Sequence, residues 1–519
     1  MDGNTKTNRR IRLILLAAVI LLGALLRTVY LGQFPPGLNQ DEASEGYEAW
    51  SLLTTGADRN GNPFPALFVS WGSGQNVLYA WLSLPFIALF GLTPVSLRLT
   101  AAVVGTMTLP VMCLLGKRLG GEKTGWAALV LTAFCPWHIM LSRWALEANI
   151  LPAFLMAGML FLAWAMEKPW LLCAAAGTFA LSLYAYGTAF IFLAAFLPPA
   201  LVYLALKGKI PLRIWLAAAA VFLLIALPVT LTNLINVLGW EEMRLFGMTL
   251  PKLNEARQAS TTAFGKDIRA YWENAKKFWE ILLKQTDGYP YNAVPGKMFA
   301  PGTLVIAAFG FAETLVRLFR KRLVKGEVLM LFALFAVVVA VFVIVPSLNR
   351  VNMAFLPVLY FAARGFGAIW GFVPWKWAKI ALGAAGCALV LLGTFSAAKR
   401  YITDIWDTLS VWFFAGVGEA VAYADGLDAE TVWVTDTVNM PYIFVLFSTE
   451  TSPEEFRETV RYRNPGGAFQ WVDSFGKWRF GSEPVPDADA VYVLYHWEAE
   501  GKEILARFGD FAVCREAGE

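Results

Sequence analysis

Two adjacent carboxylates, Asp41 and Glu42, stand in the most polar stretch of the first two hundred residues, Phe34 to Asn76. The same stretch carries Glu45, Glu48 and Asp58. A carboxylate so placed can serve as a general base, taking the proton of an attacking hydroxyl. Cations elsewhere offer the complementary task of holding a phosphate leaving group: Arg350, Arg143 and His138. Arginine does this with a bidentate fork. Trp71, Trp137, Trp144 and Tyr186 can cover the apolar CH faces of a sugar ring. Gln75, Asn76, Glu147, Asn149 and Tyr184 complete the expected sugar- and acceptor-binding set. Together these residues suit transfer of a group from a phosphate-bearing donor to a hydroxyl.

Plainer readings compete at several positions. Glu45 and Glu48 read as a solvated face favoured by the helix dipole. Asp41 and Glu42, hard against the bilayer at a helix start, read as functional; which of the two faces the cavity is left open. His138, behind Pro136-Trp137, serves either a site or a span end as an anchor. Arg143 and Glu147 are four residues apart and could simply pair. Arg350 sits between Asn349 and Asn352 at the outer end of a span, against the usual placement of positive charge. Phosphate binding supplies a reason for it. Trp71-Gly72-Ser73-Gly74-Gln75 is either a turn or a place where backbone comes close to a ligand.

The elements that position these groups follow from local signals. Pro35-Pro36-Gly37 is a turn. Asn39 is a helix N-cap, with Glu42 placed for a capping box. The helix should run from Gln40 to about Leu53 and stop before Gly56. Ala43, Tyr47 and Trp50 share one face, and Asp41, Glu45 and Glu48 another.

The 519 residues are 57% hydrophobic and 16% charged, and mean hydropathy is +0.53. These values place the chain among integral membrane proteins with many spans. Apolar segments fall near 11–31, 98–116, 125–141, 150–166, 170–186, 188–206, 213–235, 302–319, 327–345, 352–371 and 378–396. The first follows Arg9, Arg10 and Arg12 without a small-residue cleavage site, so it reads as a retained span. A further run, 77–91, is short and holds Pro85. If it lies along the surface, the basic clusters at the N-terminus, Lys117–Lys123, Lys168, Lys207–Arg213, Arg317–Lys325 and Lys376–Lys379 all fall inside, as the positive-inside rule prefers. The expected architecture is an α-helical polytopic membrane protein of about eleven spans plus interfacial helices, N-terminus cytoplasmic and C-terminus outside. The transmembrane domain is 1–399, with an outer catalytic loop at 34–76 and an outer loop at 236–301. That second loop holds a basic amphipathic helix, DIRAYWENAKKFWEILLK, expected to rest on the membrane surface. From 400 to 519 the composition shifts to the strand-like runs TVWVTD and AVYVLY, a capped helix at Ser452–Arg461 and Pro/Gly turns. This reads as a small extracytoplasmic α/β domain.

Other chemistries lack their motifs. No phosphate-binding Gly-rich loop, dinucleotide fingerprint or HExxH pattern is present, and nothing points to nucleic acid. The five cysteines show neither metal spacing nor a disulfide framework. No cofactor is firmly implied; a divalent metal is left open.

At this level the residues resemble a known family. A first span, an outer loop opening with Asp41-Glu42, and a surface-lying apolar helix ending GLTPVSLRL resemble the GT-C membrane glycosyltransferases. The resemblance is to the protein O-mannosyltransferase and aminoarabinose transferase type, including bacterial mannosyltransferase-like members. PWHIMLSRWALEANILP and SLYAYGTA are similar to that bacterial subgroup. The likeness covers roughly the first 370 residues. It implies transfer of a sugar, with inversion, from a polyprenyl-phosphate donor on the outer membrane face, with Asp41 as base. The acceptor would be a protein, a lipid or a cell-envelope glycan. The 236–301 loop shows no inserted β-trefoil of the eukaryotic mannosyltransferases, which bears against a protein acceptor. Two readings of other classes stand beside this one. A polyprenyl-linked glycan transporter or flippase would show paired repeats and broken midplane helices, and no repeat is visible. A catalytically silent scaffold would merely present the tail.

Overall fold

The computed structural model of the chain describes residues 2–256, 258–292, 298–481 and 490–517. Residue 257 and residues 293–297 of the 236–301 loop, and 482–489 and 518–519 of the tail, lie outside the described residues. The chain opens with helices α1 (Asp2–Thr28), α2 (Gln40–Thr55), α3 (Leu78–Phe90), α4 (Pro94–Gly120), α5 (Glu122–Ala133) and α6 (Pro136–Leu141). It continues with α7 (Leu151–Ala165), α8 (Leu171–Ala185), α9 (Thr188–Lys207) and α10 (Leu212–Leu238). A hairpin of β1 (Met243–Leu245) and β2 (Met248–Leu250) leads to α11 (Gln258–Thr261) and α12 (Ile268–Lys284). Then come α13 (Thr303–Phe319), α14 (Val328–Val343), α15 (Phe355–Phe372) and α16 (Lys376–Thr403).

Every apolar segment read from the sequence becomes helical. Seven helices among the described residues are long and apolar enough to cross a bilayer: those at Arg9–Thr28, Pro94–Gly120, Glu147–Ala165, Thr188–Lys207, Leu212–Leu238, Asn352–Phe372 and Lys376–Thr403. The segments at 125–141, 170–186, 302–319 and 327–345 give shorter helices than expected. Local breakers account for three of them: Pro136 opens α6 and ends the run of α5, Gly187 follows α8, and Pro346 follows α14. The fourth, α13, carries Glu313 and Arg317 in its last turns. At about 1.5 Å per residue, the 13 residues of α3 fall well short of a hydrocarbon core of about 30 Å.

Small residues let the helices approach closely, as in other membrane bundles. A Cβ on Gly310 of α13 would lie 2.0 Å from the Phe361 carbonyl, and one on Gly365 of α15 would lie 2.3 Å from the Ile306 carbonyl. Between the same helices Arg364, in α15, is buried and paired with Glu313 at 2.7 Å and Glu327 at 3.1 Å. Such pairing is what an arginine at membrane depth requires.

After α16 the chain forms α17 (Trp406–Trp412), α18 (Val417–Asp425), β3 (Val432–Val434), α19 (Pro441–Thr449) and α20 (Pro453–Thr459). Then follow β4 (Arg461–Tyr462), β5 (Val472–Phe475), β6 (Trp478–Phe480), β7 (Val491–Tyr495), β8 (Lys502–Phe508) and β9 (Phe511–Glu516). Among the described residues the sheet has seven strands in the order β4-β5-β6-β3-β7-β9-β8. The two runs read as strands are β3 and β7, which pair in parallel. Ser452 caps α20 as its sequence suggests.

This C-terminal region lies directly on α2. The Tyr47 hydroxyl donates to the Thr451 carbonyl at 2.6 Å. The Gln470 N–H donates to the Trp71 carbonyl at 2.8 Å, and Gly72 bridges to Phe469. Gly72 is at φ +104°, and a Cβ there would meet the Gly467 carbonyl at 2.3 Å. Only glycine suits both the left-handed backbone and that approach.

Candidate active site

The start of α2 is fixed by a buried latch. Gly37 turns the chain at φ +63°. Asn39 accepts from the Asp41 N–H, and the Glu42 side chain accepts from the Asn39 N–H, so the capping box forms. Glu42 also meets Arg98 of α4, with Nε to Oε1 and Nη2 to Oε2 both at 2.8 Å. A fourth donor, the Ala145 N–H, reaches Oε1 at 2.9 Å. Arg98 spends its remaining donors on the carbonyls of Leu31, Pro35 and Gly37. Both side chains are fully buried. The loop therefore wraps around one guanidinium, and Glu42 is taken up in holding it. Of the adjacent pair, the structure turns Asp41 towards a cavity and Glu42 away from it.

The cavity has a volume of about 340 Å³. Asp41 of α2 lines it, with Trp71 and Gln75 from the loop tip, Glu147 from the turn before α7, and Tyr186 from the end of α8. Its other side is built by Lys277 of α12, Asp287, Tyr289, Tyr291 and Asn292 from the following turn, and Asn349 and Arg350. Gln75 is held at both ends of its amide. Its carbonyl accepts from Ser44 at 2.8 Å and Ser70 at 2.9 Å, and its NH2 donates to the Asp41 carbonyl at 3.4 Å. Glu147 accepts from the Asn76 N–H. Asp287 ties two walls together: it accepts from Asn292 at 2.7 Å and from the Leu348 N–H at 2.9 Å. Arg350 donates to the Val345 carbonyl at 3.3 Å. A cation thus shares a polar cavity with Asp41.

Besides Glu42, the expected site residues Arg143, His138, Asn149 and Tyr184 lie outside the cavity lining. Arg143 donates to the carbonyls of Leu26, Val29, Tyr30 and Phe34. It caps the C-terminal end of α1, where a cation offsets exposed carbonyls, and among the described residues it does not pair with Glu147. His138 is buried, and its Nδ1 lies 2.8 Å from Arg27. Arginine can only donate, so that nitrogen is an acceptor. Asn149 donates to the Trp144 carbonyl, and the Tyr184 hydroxyl donates to the Ile225 carbonyl. All four are occupied in packing.

Glu45 and Glu48 are not a solvated face: both are fully buried. Glu48 pairs with Arg59 at 3.2 Å, and the Arg59 guanidinium lies over Trp71 and Tyr442 at 5.0 and 5.7 Å. Burial, with Glu147, Glu48 and Asp41 nearby, pushes the Glu45 carboxyl well above the usual range. α2 is enclosed from several sides: α3 and the turn before α7 lie beside Glu45, Arg59 pairs with Glu48, and Phe447 and Thr451 of the C-terminal region pack on Gly46 and Tyr47.

Sequence reasoning missed Lys277, Asp287, Tyr289, Tyr291 and Asn292. Their signal was present: a basic amphipathic helix ending in Asp-Gly-Tyr-Pro-Tyr-Asn. By itself that pattern marks only a surface helix and its stop. Among the described residues no group of three or more His, Cys, Asp or Glu side chains is arranged to hold a metal ion.

Residues 58–243 match the family model of dolichyl-phosphate-mannose-protein mannosyltransferases. No curated protein matches the chain in sequence. The fold is similar to ArnT from Cupriavidus metallidurans bound to undecaprenyl phosphate, at a TM-score of 0.57 and 13% identity over 97% of each chain. The apo state of the same protein gives a TM-score of 0.54 at 14% identity, covering 98% of each chain. The archaeal oligosaccharyltransferase AglB from Archaeoglobus fulgidus, in complex with an inhibitory peptide and a dolichol-phosphate, matches at 0.47 and 13% identity, over 83% of this chain and 63% of that one. The resemblance seen in the sequence is thus met twice: by the mannosyltransferase model over residues 58–243 and by an ArnT-like fold along the chain.

Proposed function

We propose that the protein transfers a sugar from a polyprenyl-phosphate donor to an acceptor hydroxyl on the outer face of the membrane, with inversion at the anomeric carbon. One observation carries this reading: Asp41 and Arg350, far apart in sequence, line one polar cavity. In the reaction the acceptor oxygen bonds to the anomeric carbon as the bond from that carbon to the phosphate oxygen breaks. The acceptor proton passes to Asp41. The polyprenyl phosphate leaves on the opposite side, its charge held by the bidentate fork of Arg350 and by Lys277. Attack opposite to departure gives inversion. The position of Asp41 in the first turn of α2 favours its ionised form, as a base requires.

The match to mannosyltransferases supports a hexose of the mannose type, and the undecaprenyl phosphate held by the ArnT-like neighbour supports a lipid-linked donor. The distribution of Lys and Arg supports a cytoplasmic N-terminus, which puts the cavity and the C-terminal region outside. The test is incubation of purified protein with labelled polyprenyl-phosphate sugars and cell-envelope fractions. Asp41→Asn should lower turnover roughly two to four orders of magnitude, with undecaprenyl phosphate binding and melting temperature unchanged. Equal turnover in Asp41→Asn and parent would remove the base from Asp41 and with it this mechanism.

A further inference from the structure

We infer that an anionic phospholipid binds in a groove between α5, α15 and α16, with its headgroup at Arg12 and Lys123. The inference is independent of the transferase reading above. Arg12 stands near the start of the α1 span, whereas Asp41 lies beyond its end.

The groove has a volume of about 480 Å³. It opens beside α16, a span that buries little of itself against the other helices. Gly383 and Gly386 of α16 line it and add no side chain to fill it. A Cβ on either would lie 3.1 Å from the Trp370 or the Phe366 ring of α15. The walls are apolar, built by Val130, Leu131, Ile306, Phe366, Leu389 and Val390. One end is closed by Ala300, Pro301 and Thr303. The Thr303 hydroxyl there is spent on the Ala300 carbonyl at 2.7 Å. The other end carries Arg12 of α1 and Lys123 of α5, with Glu122 beside them. Glu122 lies 3.9 Å from Arg12 and 2.6 Å from Lys117. Three cations thus stand against one carboxylate, a surplus of two positive charges at this end.

Length and charge select the occupant. Along α5 the lining runs from Glu122 to Leu131, about 14 Å at 1.5 Å per residue. That is close to half of a hydrocarbon core of about 30 Å. An acyl chain entering from the basic end therefore lies along the walls and stops near the midplane. A spanning helix of a partner would need the full thickness, and the groove closes halfway. A water-soluble anion would meet the cations and leave the walls bare. An undecaprenyl chain is far longer than the groove. Basic pockets between spans gather anionic headgroups, each Lys or Arg near the surface being worth about fivefold in affinity. Trp126, one turn from Glu122, also lines the groove. Its indole sits where such rings favour the headgroup level.

The test uses the purified, delipidated full chain in detergent. The probes are dioleoyl phosphatidylglycerol, dioleoyl phosphatidylcholine and undecaprenyl phosphate. Mass spectrometry of the intact protein counts bound lipid, and the melting midpoint reports the linked stabilisation. Phosphatidylglycerol should bind at least about fivefold more tightly than phosphatidylcholine. Arg12→Gln and Lys123→Gln should each weaken phosphatidylglycerol about fivefold and leave phosphatidylcholine unmoved. Ala127→Phe puts a ring into the groove from α5 and should weaken both phospholipids. Cys387→Phe does the same from the exposed side of α16, and serves if the first variant folds poorly. The inference falls if both phospholipids bind alike and the glutamine variants change neither, as lipid that merely surrounds the protein would. It falls if undecaprenyl phosphate displaces phosphatidylglycerol at equal concentration, which would make the groove a polyprenyl site. It falls also if the filling variants leave lipid binding intact and change the oligomeric state, which would make the groove a contact between copies.

Discussion

Glu42→Gln separates the two neighbouring carboxylates by measurement. Both Glu42 oxygens accept two N–H groups: Oε1 from Arg98 and Ala145, Oε2 from Arg98 and Asn39. A glutamine amide nitrogen in either position faces two donors with a donor of its own. Each buried donor left without a partner costs about 1–3 kcal/mol. The Arg98 charge also loses its counter-ion while fully buried, and removing one partner of a buried pair costs about 3–5 kcal/mol. The two estimates count overlapping losses, so about 3–5 kcal/mol is the expected total. In a fluorescence melt of the detergent-solubilised protein, Glu42→Gln should lower the midpoint by several degrees. Asp41→Asn, outside the latch, should leave it unchanged. Glu42→Gln should keep part of its turnover at low temperature, where enough protein stays folded, whereas Asp41→Asn should be slow at every temperature. A Glu42→Gln protein that melts with the parent yet shows no turnover would refute the latch and make Glu42 a chemical participant.

Arg350→Lys keeps the charge but loses the fork, so undecaprenyl phosphate should bind more weakly; Arg350→Ala should weaken it further, and unchanged binding in the alanine variant would dismiss Arg350 as the phosphate ligand. Glu45→Gln should stabilise the protein at high pH. The folded carboxyl titrates well above its usual range, so the parent carries no penalty below the unfolded value near 4.3 and loses stability as pH rises above it. The melting difference between Glu45→Gln and parent should therefore grow from pH 4 to pH 8, and a flat difference would contradict a buried neutral acid. Single-cysteine variants labelled from outside intact cells should react at position 430 and stay silent at position 120; the reverse pattern would invert the topology.

What the sequence made legible was local. The Asn39 cap, the Glu42 capping box and the stop at Gly56 follow from chemistry within a few residues, and each forms. The apolar runs likewise become helices, because twenty apolar residues have few other ways to satisfy their backbone in lipid. The harder features depend on distant partners. Nothing near Glu42 says that Arg98, 56 residues on, will reach its carboxylate. Nothing near Arg143 says that its donors will close the end of α1. Glu45 and Glu48 look like a wet face until α3, the turn before α7 and Arg59 close around them. Lys277 and Tyr291 were visible as residue types but not as wall, since their place depends on how α12 folds back over α14.

The bond from Tyr47 to the Thr451 carbonyl spans 404 residues, and this has a consequence for biogenesis. At about 5–20 residues per second of synthesis, α2 would be made tens of seconds before the segment that packs on it exists. During that interval Tyr47 lacks its Thr451 partner, and Arg59 and Trp71 lack the Tyr442 ring beside them. Nascent chains should be silent as catalysts until the tail has docked. Tail lesions remote from Asp41 should then show first as degraded protein and only second as altered chemistry.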